Sequence, residues 1–353
     1  MSERFLIVIP CLNEEAHLDA LLTNLRADPA AANARIAVAD GGSTDASLEI
    51  IRAHAEADPR VALLPNPKRI QSAAMNLAVA QYGSDEIFVR LDAHAHYPDG
   101  FLPALIDAYK TSGADSVTVS MRAAAHGDCF QAAAAAAQNS VLGNGGSSHR
   151  NAGDRRWVEH GHHALFRTAA FKAAGGYDET FTHNEDAELD TRITNAGGRI
   201  LLAADIVMDY FPRATARGLA RQYFNYGKGR AKTALKHGKM LKLRQLAPVA
   251  VAPAATLALL TPFSAWAAAP IAAWFALCVG FGFVLGARER TACAYASGFA
   301  AAIMHLAWSF GFWRQLLFSA DRANTLAHNR WTSGPETAWS DPAPAPTARQ
   351  SPD

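Results

Sequence analysis

The stretch Ile36-Ala-Val-Ala-Asp-Gly-Gly-Ser-Thr-Asp45 decides the fold of this chain. Its first four residues are apolar and form a run of the length expected for a buried strand. Two glycines then allow a tight turn, and Ser43, Thr44 and Asp45 offer N-caps for a helix that runs to about Ala57. A strand that ends in an acid, a turn and a helix is typical of a parallel α/β unit.

The same alternation of strand and helix continues on both sides of this unit. It predicts an α/β fold with a mostly parallel, doubly wound sheet. The predicted strands are Phe5–Ile9, Ile36–Ala39, Val61–Leu64, Ile87–Leu91, Ser116–Met121, Trp157–Phe166 and Gly198–Leu202. The predicted helices include Glu15–Arg26, Ile70–Gln81, Phe101–Thr111, Gln131–Gln138 and Glu185–Asn195.

Composition narrows the class of partner and the compartment. The chain has 353 residues and a formal net charge of +1, so no strong field draws it to nucleic acid and we expect no nucleic-acid partner. Residues 1–5 lack a signal-peptide pattern, so the first domain is expected in the cytosol. The four cysteines, at positions 11, 129, 278 and 293, show no metal-type spacing, and a reducing compartment predicts that they stay unpaired.

Three acidic clusters lie where predicted strands end or a predicted helix begins. They are Asp40–Asp45, Arg90-Leu-Asp92-Ala-His94 and Asn184-Glu185-Asp186. In an open parallel sheet, groups at such edges converge on one crevice. Separate carboxylates for a nucleotide, a divalent metal and a proton are what sugar transfer from a nucleotide diphosphate requires.

Each cluster also has a plain structural interpretation. The position of Asp40, directly before two glycines, favours its contact with a base or ribose. Asp45 is equally well explained as a contact of this kind or as the cap of its helix. In an extended chain Asp92 and His94 face the same way and would offer ligands to Mn²⁺ or Mg²⁺, the alternative being a polar loop. Asp186 is either a base that accepts the proton of an attacking hydroxyl or a simple N-terminal helix acid.

The composition changes after Arg217. Arg217–Arg244 is rich in Lys and Arg and carries interleaved aromatic residues, which suits an anionic membrane surface or a solvated basic helix. Three apolar segments follow, Pro248–Ala269, Pro270–Ala287 and Thr291–Trp313. Each is near the length needed to cross a bilayer. A buried soluble bundle is the alternative, and the third segment is alternatively interfacial or re-entrant.

These changes divide the chain into four parts. We expect a catalytic domain at 1–215, a basic amphipathic interface segment at 216–247, two to three transmembrane or membrane-embedded helices at 248–318 and a disordered tail at 319–353. The positive-inside rule then places the catalytic domain on the cytosolic side of a multi-pass inner-membrane protein.

Taken together, the motifs resemble glycosyltransferase family 2, whose members are inverting enzymes with an A-type nucleotide-binding fold. The resemblance covers about residues 4–230, and within the family it is strongest to the succinoglycan-biosynthesis glucosyltransferase group. The matching stretches are Ile9-Pro-Cys-Leu-Asn-Glu-Glu15, Ala39–Asp45, Arg90–His94, Gly175-Gly-Tyr-Asp-Glu179 and Asn184–Asp186, and Leu91–Pro98 carries the closer match.

The resemblance implies a role for each matched residue. His94 departs from the pattern, because many members have a second aspartate there. Gln222-Tyr-Phe-Asn-Tyr226 lacks the Arg-Trp pair of processive members, which favours a single transfer. The implied nucleotide-sugar contacts are Pro10, Asn13, Glu14, Asp40, Asp45 and Asp92, the implied metal ligands of Mn²⁺ or Mg²⁺ are Asp92 and His94, and the implied catalytic base is Asp186.

The implied reaction moves a sugar, with glucose expected, from a UDP-sugar to a hydroxyl of a polyprenyl-diphosphate-linked saccharide in exopolysaccharide biosynthesis. Two alternatives remain open: a polyprenyl-phosphate sugar synthase, and an inert nucleotide-sugar-binding scaffold at the membrane. The loop Gly143–Arg150 either closes over the donor or is an ordinary mobile loop. The histidines at 160, 162 and 163 either ligate a metal or lie at a strand edge. Lys68, Arg69 and Arg230 are either partners of the diphosphate or surface charges.

Overall fold

The computed structural model describes residues 4–146, 153–238, 241 and 243–318, so the predicted tail and part of the loop Gly143–Arg150 lie outside the described residues. Strands and helices alternate through the first part of the chain, as predicted. In chain order they are β1 (Phe5–Cys11), α1 (Glu15–Ala27), β2 (Ala34–Asp40), α2 (Ser47–Ala57), β3 (Val61–Pro65), α3 (Gln71–Tyr82), β4 (Ile87–Arg90), α4 (Phe101–Ser112), β5 (Ser116–Ala123), α5 (Cys129–Asn139), α6 (Val141–Asn144), β6 (Arg156–Val158), β7 (His162–Arg167), α7 (Thr168–Ala173), α8 (Glu185–Asn195) and β8 (Ile200–Tyr210).

The described strands form one eight-stranded sheet in the order β3-β2-β1-β4-β7-β5-β8-β6. The β3-β2-β1-β4 half is parallel throughout, and β5 pairs in parallel with β8. β7 runs antiparallel between β4 and β5, and the edge strand β6 is antiparallel to β8. The sheet is therefore mostly parallel, with an antiparallel strand at its centre.

The sheet is buried on both faces, which explains why its strands are continuously apolar. Successive β1 residues belong to two different core clusters: Ile7 and Ile9 pack on the side of α1 and α4, and Leu6 and Val8 on the side of α3. On the α3 side, Phe88 stacks on Phe166 with ring centroids 5.0 Å apart.

Two predicted strands differ from those observed. Trp157–Phe166 is two strands, β6 and β7, which pair with different partners. Gly198–Leu202 is the start of the longer strand β8, which continues to Tyr210 because a register shift after Val119 lets it follow β5 to its end. Irregular pairing of this kind leaves no periodic signal in the sequence.

The last part of the described chain is helical. α9 (Ala216–His237) packs along α12 (Ser297–Phe318), while α10 (Leu243–Leu257) and α11 (Ala269–Glu289) lie against α12. Close approach of α9 and α12 requires glycine: a Cβ at Gly227 would overlap the Trp308 carbonyl, and one at Gly311 would overlap the Phe224 carbonyl.

Two described helical stretches, Ala265–Glu289 and Ala292–Phe318, are long and apolar enough to cross a membrane. In the most apolar window of the first, 11% of residues are buried, against 44% in the second, because α12 packs on α9. The first predicted apolar segment, 248–269, is not one helix. α10 contains Pro248 and Pro253 and ends at Leu257, before short 3₁₀ turns.

Cys129 and Cys293 form a disulfide, so the expectation of four unpaired cysteines is wrong. The two lie 164 positions apart, and no spacing pattern marks the pair. They meet because α5 packs against residues Ala292–Ala296, which precede α12. Cys11 and Cys278 are free and buried.

Candidate active site

The carboxyl ends of β1, β2 and β4 open into one crevice. The parallel register aligns Cys11 with Asp40 and Val8 with Arg90, so the loops that follow these strands meet at one edge. A cavity of about 890 Å³ follows this edge. Among the residues lining it are Pro10, Glu14, Gly41, Arg69, Arg90, Asp92, His94, His162, Glu185 and Asp186.

Asp40 stabilises the turn that follows it. Its carboxylate accepts hydrogen bonds from the amides of Gly42 and Ser43, at 2.8 and 3.2 Å, and from the Ser43 hydroxyl. The side chain is 5% exposed and lies behind Gly41, which lines the cavity. The Asp40 carboxylate is therefore bonded within this turn, and its contact with a nucleotide stays a prediction.

Asn13 and Asp45 tie the loop after β1 to the loop after β2. The Asn13 side-chain oxygen Oδ1 accepts a hydrogen bond from the Thr44 amide at 2.8 Å. Asp45 accepts from the amides of Ser47 and Glu15, at 3.0 and 3.1 Å. Both side chains shape the crevice from behind. Of the predicted nucleotide-sugar contacts, those that line the cavity are Pro10, Glu14 and Asp92.

A buried arginine, Arg90, joins the two carboxylates predicted to carry the chemistry. Its Nε donates to Asp92 Oδ1 at 3.1 Å and its Nη1 to Asp186 Oδ1 at 2.9 Å. The Tyr177 hydroxyl donates to the same Asp186 oxygen at 2.7 Å. Burial opposes the charge on Arg90, but Asp186 and Asp92 outweigh it and hold the arginine pKa well above its usual value. Sequence reasoning missed this bridge.

His94 lines the cavity, but the chain around it is not extended as predicted. The Ala95 amide donates to the Asp92 carbonyl at 3.2 Å, closing a turn, whereas the prediction assumed an extended chain. His94 Nδ1 instead lies 2.9 Å from Glu14 Oε1. That hydrogen bond to Glu14 raises the pKa of His94. The pairing of Asp92 and His94 as metal ligands stays a prediction.

His162 occupies the position between the two carboxylates. Its Nε2 lies 3.6 Å from Asp92 Oδ2 and its Nδ1 lies 4.0 Å from Asp186 Oδ2. It reaches them because β7 is inserted next to β4. Burial opposes the charge on Asp92, but Arg90 and His162 outweigh it and lower the carboxyl pKa. Within the described ranges, no group of three His, Cys, Asp or Glu side chains is arranged to hold a metal ion.

Glu185 is a third carboxyl group lining the crevice, beside those of Asp92 and Asp186. Burial and the neighbouring Asp186 raise its pKa to about 7. A carboxyl that titrates near neutrality is well suited to accept a proton. The feature of the sequence that marks Glu185 is the direct adjacency of two acids at the start of α8.

Among the remaining polar side chains, Arg69, Arg230 and His160 line the cavity. His160 Nδ1 also lies 2.9 Å from Asp190 Oδ2. Lys68 is paired with Glu179.

The far wall of the cavity comes from the C-terminal helices. His305 of α12 lies with Nε2 2.8 Å from the Leu142 carbonyl, which fixes α12 against the end of α6. The crevice at the sheet edge is therefore continuous with an apolar wall. The helix residues that line it include Pro248, Phe281, Met304, His305 and Trp308.

Known proteins share both the sequence and the fold. The family model described as "Glycosyl transferase family 2" matches residues 6–175 of the chain. The chain is 52% identical over 317 residues to the succinoglycan biosynthesis protein ExoA of Rhizobium meliloti (strain 1021), covering 90% of this chain and 96% of the relative. It is 24% identical over 233 residues to a dolichyl N-acetyl-alpha-D-glucosaminyl phosphate 3-beta-D-2,3-diacetamido-2,3-dideoxy-beta-D-glucuronosyltransferase of Methanococcus voltae, covering 63% and 71% of the two chains.

Among solved structures, the chain is similar to the mannosyltransferase PcManGT from Pyrobaculum calidifontis in complex with GDP-Man and Mn2+. The TM-score is 0.58 at 19% identity, over 90% of this chain and 88% of that one. The sheet and the acidic crevice thus define a glycosyltransferase with an A-type fold, as predicted. The chain belongs to glycosyltransferase family 2.

Proposed function

We propose that this glycosyltransferase transfers a sugar, with inversion, from a UDP-sugar to a hydroxyl of a lipid-linked saccharide in exopolysaccharide biosynthesis. The observation that carries the proposal is the continuity of the cavity. At one end it meets the nucleotide-facing loops, in the middle Asp92, Glu185 and Asp186, and at the other end the apolar helices. Such a crevice accepts a charged donor and an amphipathic acceptor together.

Asp186 is the proposed base. Arg90 and Tyr177 bind one carboxylate oxygen, Oδ1, and the other, Oδ2, lies 4.0 Å from His162 Nδ1. The acceptor hydroxyl would give its proton to Asp186 as its oxygen bonds to the anomeric carbon from the face opposite the diphosphate. The bond from that carbon to the diphosphate oxygen breaks with its electron pair, and the configuration inverts. Holding both substrates in one crevice supplies much of the rate.

Glu185 is the alternative base. Its pKa of about 7 leaves a large ionised fraction at neutral pH with high proton affinity, whereas Asp186 already receives hydrogen bonds from Arg90 and Tyr177. A charged donor stabilises the ionised carboxylate and makes it less basic. The two carboxylates are therefore to be compared directly.

A divalent metal fits this site through Asp92. The carboxylate is a hard oxygen ligand, and the oxygens of the donor diphosphate would supply the rest of the coordination sphere of Mn²⁺ or Mg²⁺. When bound, such an ion neutralises charge on the departing diphosphate. Support comes from the solved neighbour PcManGT, which was obtained with GDP-Man and Mn2+.

The proposed acceptor follows from the apolar wall and from the relatives. Phe281, Met304 and Trp308 face the cavity, and apolar side chains of this kind suit a polyprenyl chain attached to the saccharide. One relative is named for succinoglycan biosynthesis and another for a dolichyl phosphate-linked sugar. Glucose is the proposed sugar, and exopolysaccharide the proposed product, on the strength of the 52% identity to the first relative.

Association with the inner membrane, with the catalytic domain on the cytosolic side, is part of the proposal. Between α10 and α11 the side chains of Phe263 and Trp266 are 88% and 85% exposed, which suits the bilayer interior and its interface. Arg217 and Arg221 are exposed one turn apart on α9, beside an apolar groove shared with α12. Guanidinium groups next to an apolar surface fit anionic lipids.

A polyprenyl-phosphate sugar synthase is the second candidate. Its acceptor is a phosphate that is already ionised, so that reaction needs little base catalysis. The bond between Arg90 and Asp186, which weakens Asp186 as a base, favours this candidate.

The test is release of nucleoside diphosphate by the detergent-purified protein, with a panel of UDP- and GDP-sugars, with and without Mn²⁺ and lipid-linked acceptors. Asp186→Asn and Glu185→Gln are compared with Asp205→Asn, a matched change on the surface where Asp205 pairs with Arg155. We expect a loss of at least ~100-fold for Asp186→Asn, as for a general base, and wild-type activity for Asp205→Asn.

Other outcomes reassign the function. The larger loss in Glu185→Gln would make Glu185 the base. Full activity of Asp186→Asn with a polyprenyl phosphate would support the synthase. Release from GDP-sugars alone would overturn the UDP assignment, and nucleotide binding without any turnover would support the scaffold.

A further inference from the structure

One face of α9 lies against the segment that carries the proposed base. Tyr226, Gly229, Thr233 and Lys236 are spaced three or four residues apart, so they share one side of the helix. Each of them contacts residues between 178 and 188. α9 is therefore a support of the loop that leads into α8, in addition to being a basic helix near the membrane.

The central contact joins Asn184 to Thr233. Asn184 Nδ2 donates to Thr233 Oγ1 at 2.9 Å, and that hydroxyl donates to the Gly229 carbonyl at 3.0 Å. Thr233 is buried, with 5% of its surface exposed. Because the hydroxyl proton is committed to Gly229, its oxygen is left to accept from the asparagine amide.

Asn184 has an unusual conformation for the residue before a helix. Its φ is +66°, in the left-handed region, and its side chain makes no cap bond to α8. Asparagine tolerates this region better than most residues, but the conformation still has a cost. The bond to Thr233 is thus a tertiary anchor that holds this backbone in place, two residues before Asp186.

Gly229 allows the helix to approach this closely. A Cβ at this position would lie 2.5 Å from the His183 carbonyl oxygen and 2.7 Å from Asn184 Cβ. Both distances are shorter than atomic contact permits. A side chain here would push the loop, and with it the start of α8, away from α9.

A buried ion cluster fixes the first turn of α8 from the same helix. Glu188 is fully buried, and its carboxylate lies 2.7 Å from Lys236 Nζ and 3.0 Å from His237 Nε2. Arg192 Nη2 lies 2.6 Å from the same Glu188 carboxylate. Glu188 follows Asp186 by two residues, so α9 holds the base from both sides.

We infer that Asn184 and Thr233 are positioning residues, through which α9 sets the place of the catalytic carboxylate at Asp186. This inference rests on the proposed function of Asp186 as the base. A helix that carries exposed arginines for the membrane also holds the base, so docking of the lipid-linked acceptor and alignment of the base use the same element.

The test replaces the Thr233 hydroxyl and then restores it. Thr233→Val keeps the shape and removes the anchor, and Thr233→Ser keeps the hydroxyl. Misplacement of a reacting group by about 1 Å can cost ~100-fold. We expect kcat to fall at least ~10-fold in Thr233→Val, the KM for the donor and the Kd for UDP to stay unchanged, and Thr233→Ser to recover most of the rate.

Thr256→Val is the matched control. Thr256 makes the same hydroxyl bond to the carbonyl four residues earlier, that of Ala252, but lies in α10. It is expected to leave kcat unchanged. If Thr233→Val does not fold, Asn184→Gly removes the amide while keeping a residue that accepts positive φ.

Hydrogen exchange gives a readout that does not depend on turnover. Amides of residues 184–188 are expected to exchange faster in Thr233→Val than in wild type. Unchanged exchange together with an unchanged kcat, or failure of Thr233→Ser to recover the rate, would overturn the positioning role. If the wild-type protein transfers no sugar, the proposed function is overturned. Faster exchange in Thr233→Val would then still show that Thr233 holds the segment 184–188 in place.

Discussion

Arg90 and Asp186, 96 positions apart in the chain, meet through Nη1 and Oδ1 at 2.9 Å. The guanidinium is 4% exposed and also binds Asp92. One buried cation therefore neutralises the carboxylate proposed for the metal and the carboxylate proposed as the base. It fixes the spacing between the two before any substrate arrives.

Loss of Arg90 is expected to lower the stability of the folded protein more than loss of the Tyr177 hydroxyl does. Arg90→Gln leaves the half-buried carboxylates of Asp92 and Asp186 without their buried arginine, which should lower the free energy of unfolding by about 3–5 kcal/mol. Tyr177→Phe removes only one hydrogen bond to Asp186 and should cost about 1–2 kcal/mol. Chemical denaturation of both variants in the same detergent measures the difference. Equal costs for the two would show that the arginine bridge is not formed.

Glu185 is expected to destabilise the protein at high pH. Its pKa is 4.5 in the unfolded reference and about 7 in the folded protein, so the folded state holds this proton more tightly. Stability from this group is present at low pH and falls as the pH rises through that interval. Glu185→Gln should therefore raise Tm at pH 8 and leave it unchanged at pH 4. The opposite order would contradict the buried position of the carboxyl.

Asp92 and His94 should respond differently to metal. The turn at 92–95 directs His94 to Glu14, so His94→Ala should change the Mn²⁺ activation constant by less than about 3-fold, whereas Asp92→Asn should raise it by at least ~10-fold. Titration of activity with Mn²⁺ at saturating donor measures both constants. Equal shifts in the two variants would support the prediction that both residues bind the metal.

The ion pair between Asp58 and Arg60, which lies away from the cavity, is expected to contribute to the stability of the folded protein at acid pH. Hydrogen bonds from Arg60 lower the pKa of Asp58 from 3.8 to about 2. Because the pKa of Asp58 is lower in the folded state, this group stabilises the folded protein at pH values above its unfolded pKa. That stabilisation is lost as the pH falls through the folded pKa. Asp58→Asn should cost about 2 kcal/mol at pH 6 and little at pH 2. Transfer activity at pH 7 should be unchanged, because Asp58 and Arg60 lie away from the cavity.

The parallel part of the fold was predictable because burial on both faces makes its strands continuously apolar. The strand at Phe5–Cys11 and the helix at Glu15–Ala27 are found close to their predicted bounds. The central strand β7 was not separated from β6 in the prediction, since insertion between β4 and β5 depends on pairing across the chain. His162 reaches the site only through that insertion.

The acidic motifs predicted the place of the site better than the use of each residue. Asp92, Glu14 and Asp186 line one cavity. Asp40 and His94 lie in local turns whose hydrogen bonds side-chain spacing does not reveal, and the roles predicted for these two residues stay predictions. Likewise, the basic residues after Arg217 were attributed to the membrane, yet Lys236 is directed inward to Asp178 and Glu188.

The glycine contacts between α9 and α12 bear on how the protein can be prepared. A shortened protein that ends at residue 215 would lose the helix that holds the loop before Asp186, and would expose the side of α5 that packs on α12. Removing only α12 would uncover the backbone carbonyls at Phe224 and the apolar face around it. The α/β part of this enzyme is therefore not separable from its C-terminal helices, and a preparation has to keep both in one intact chain.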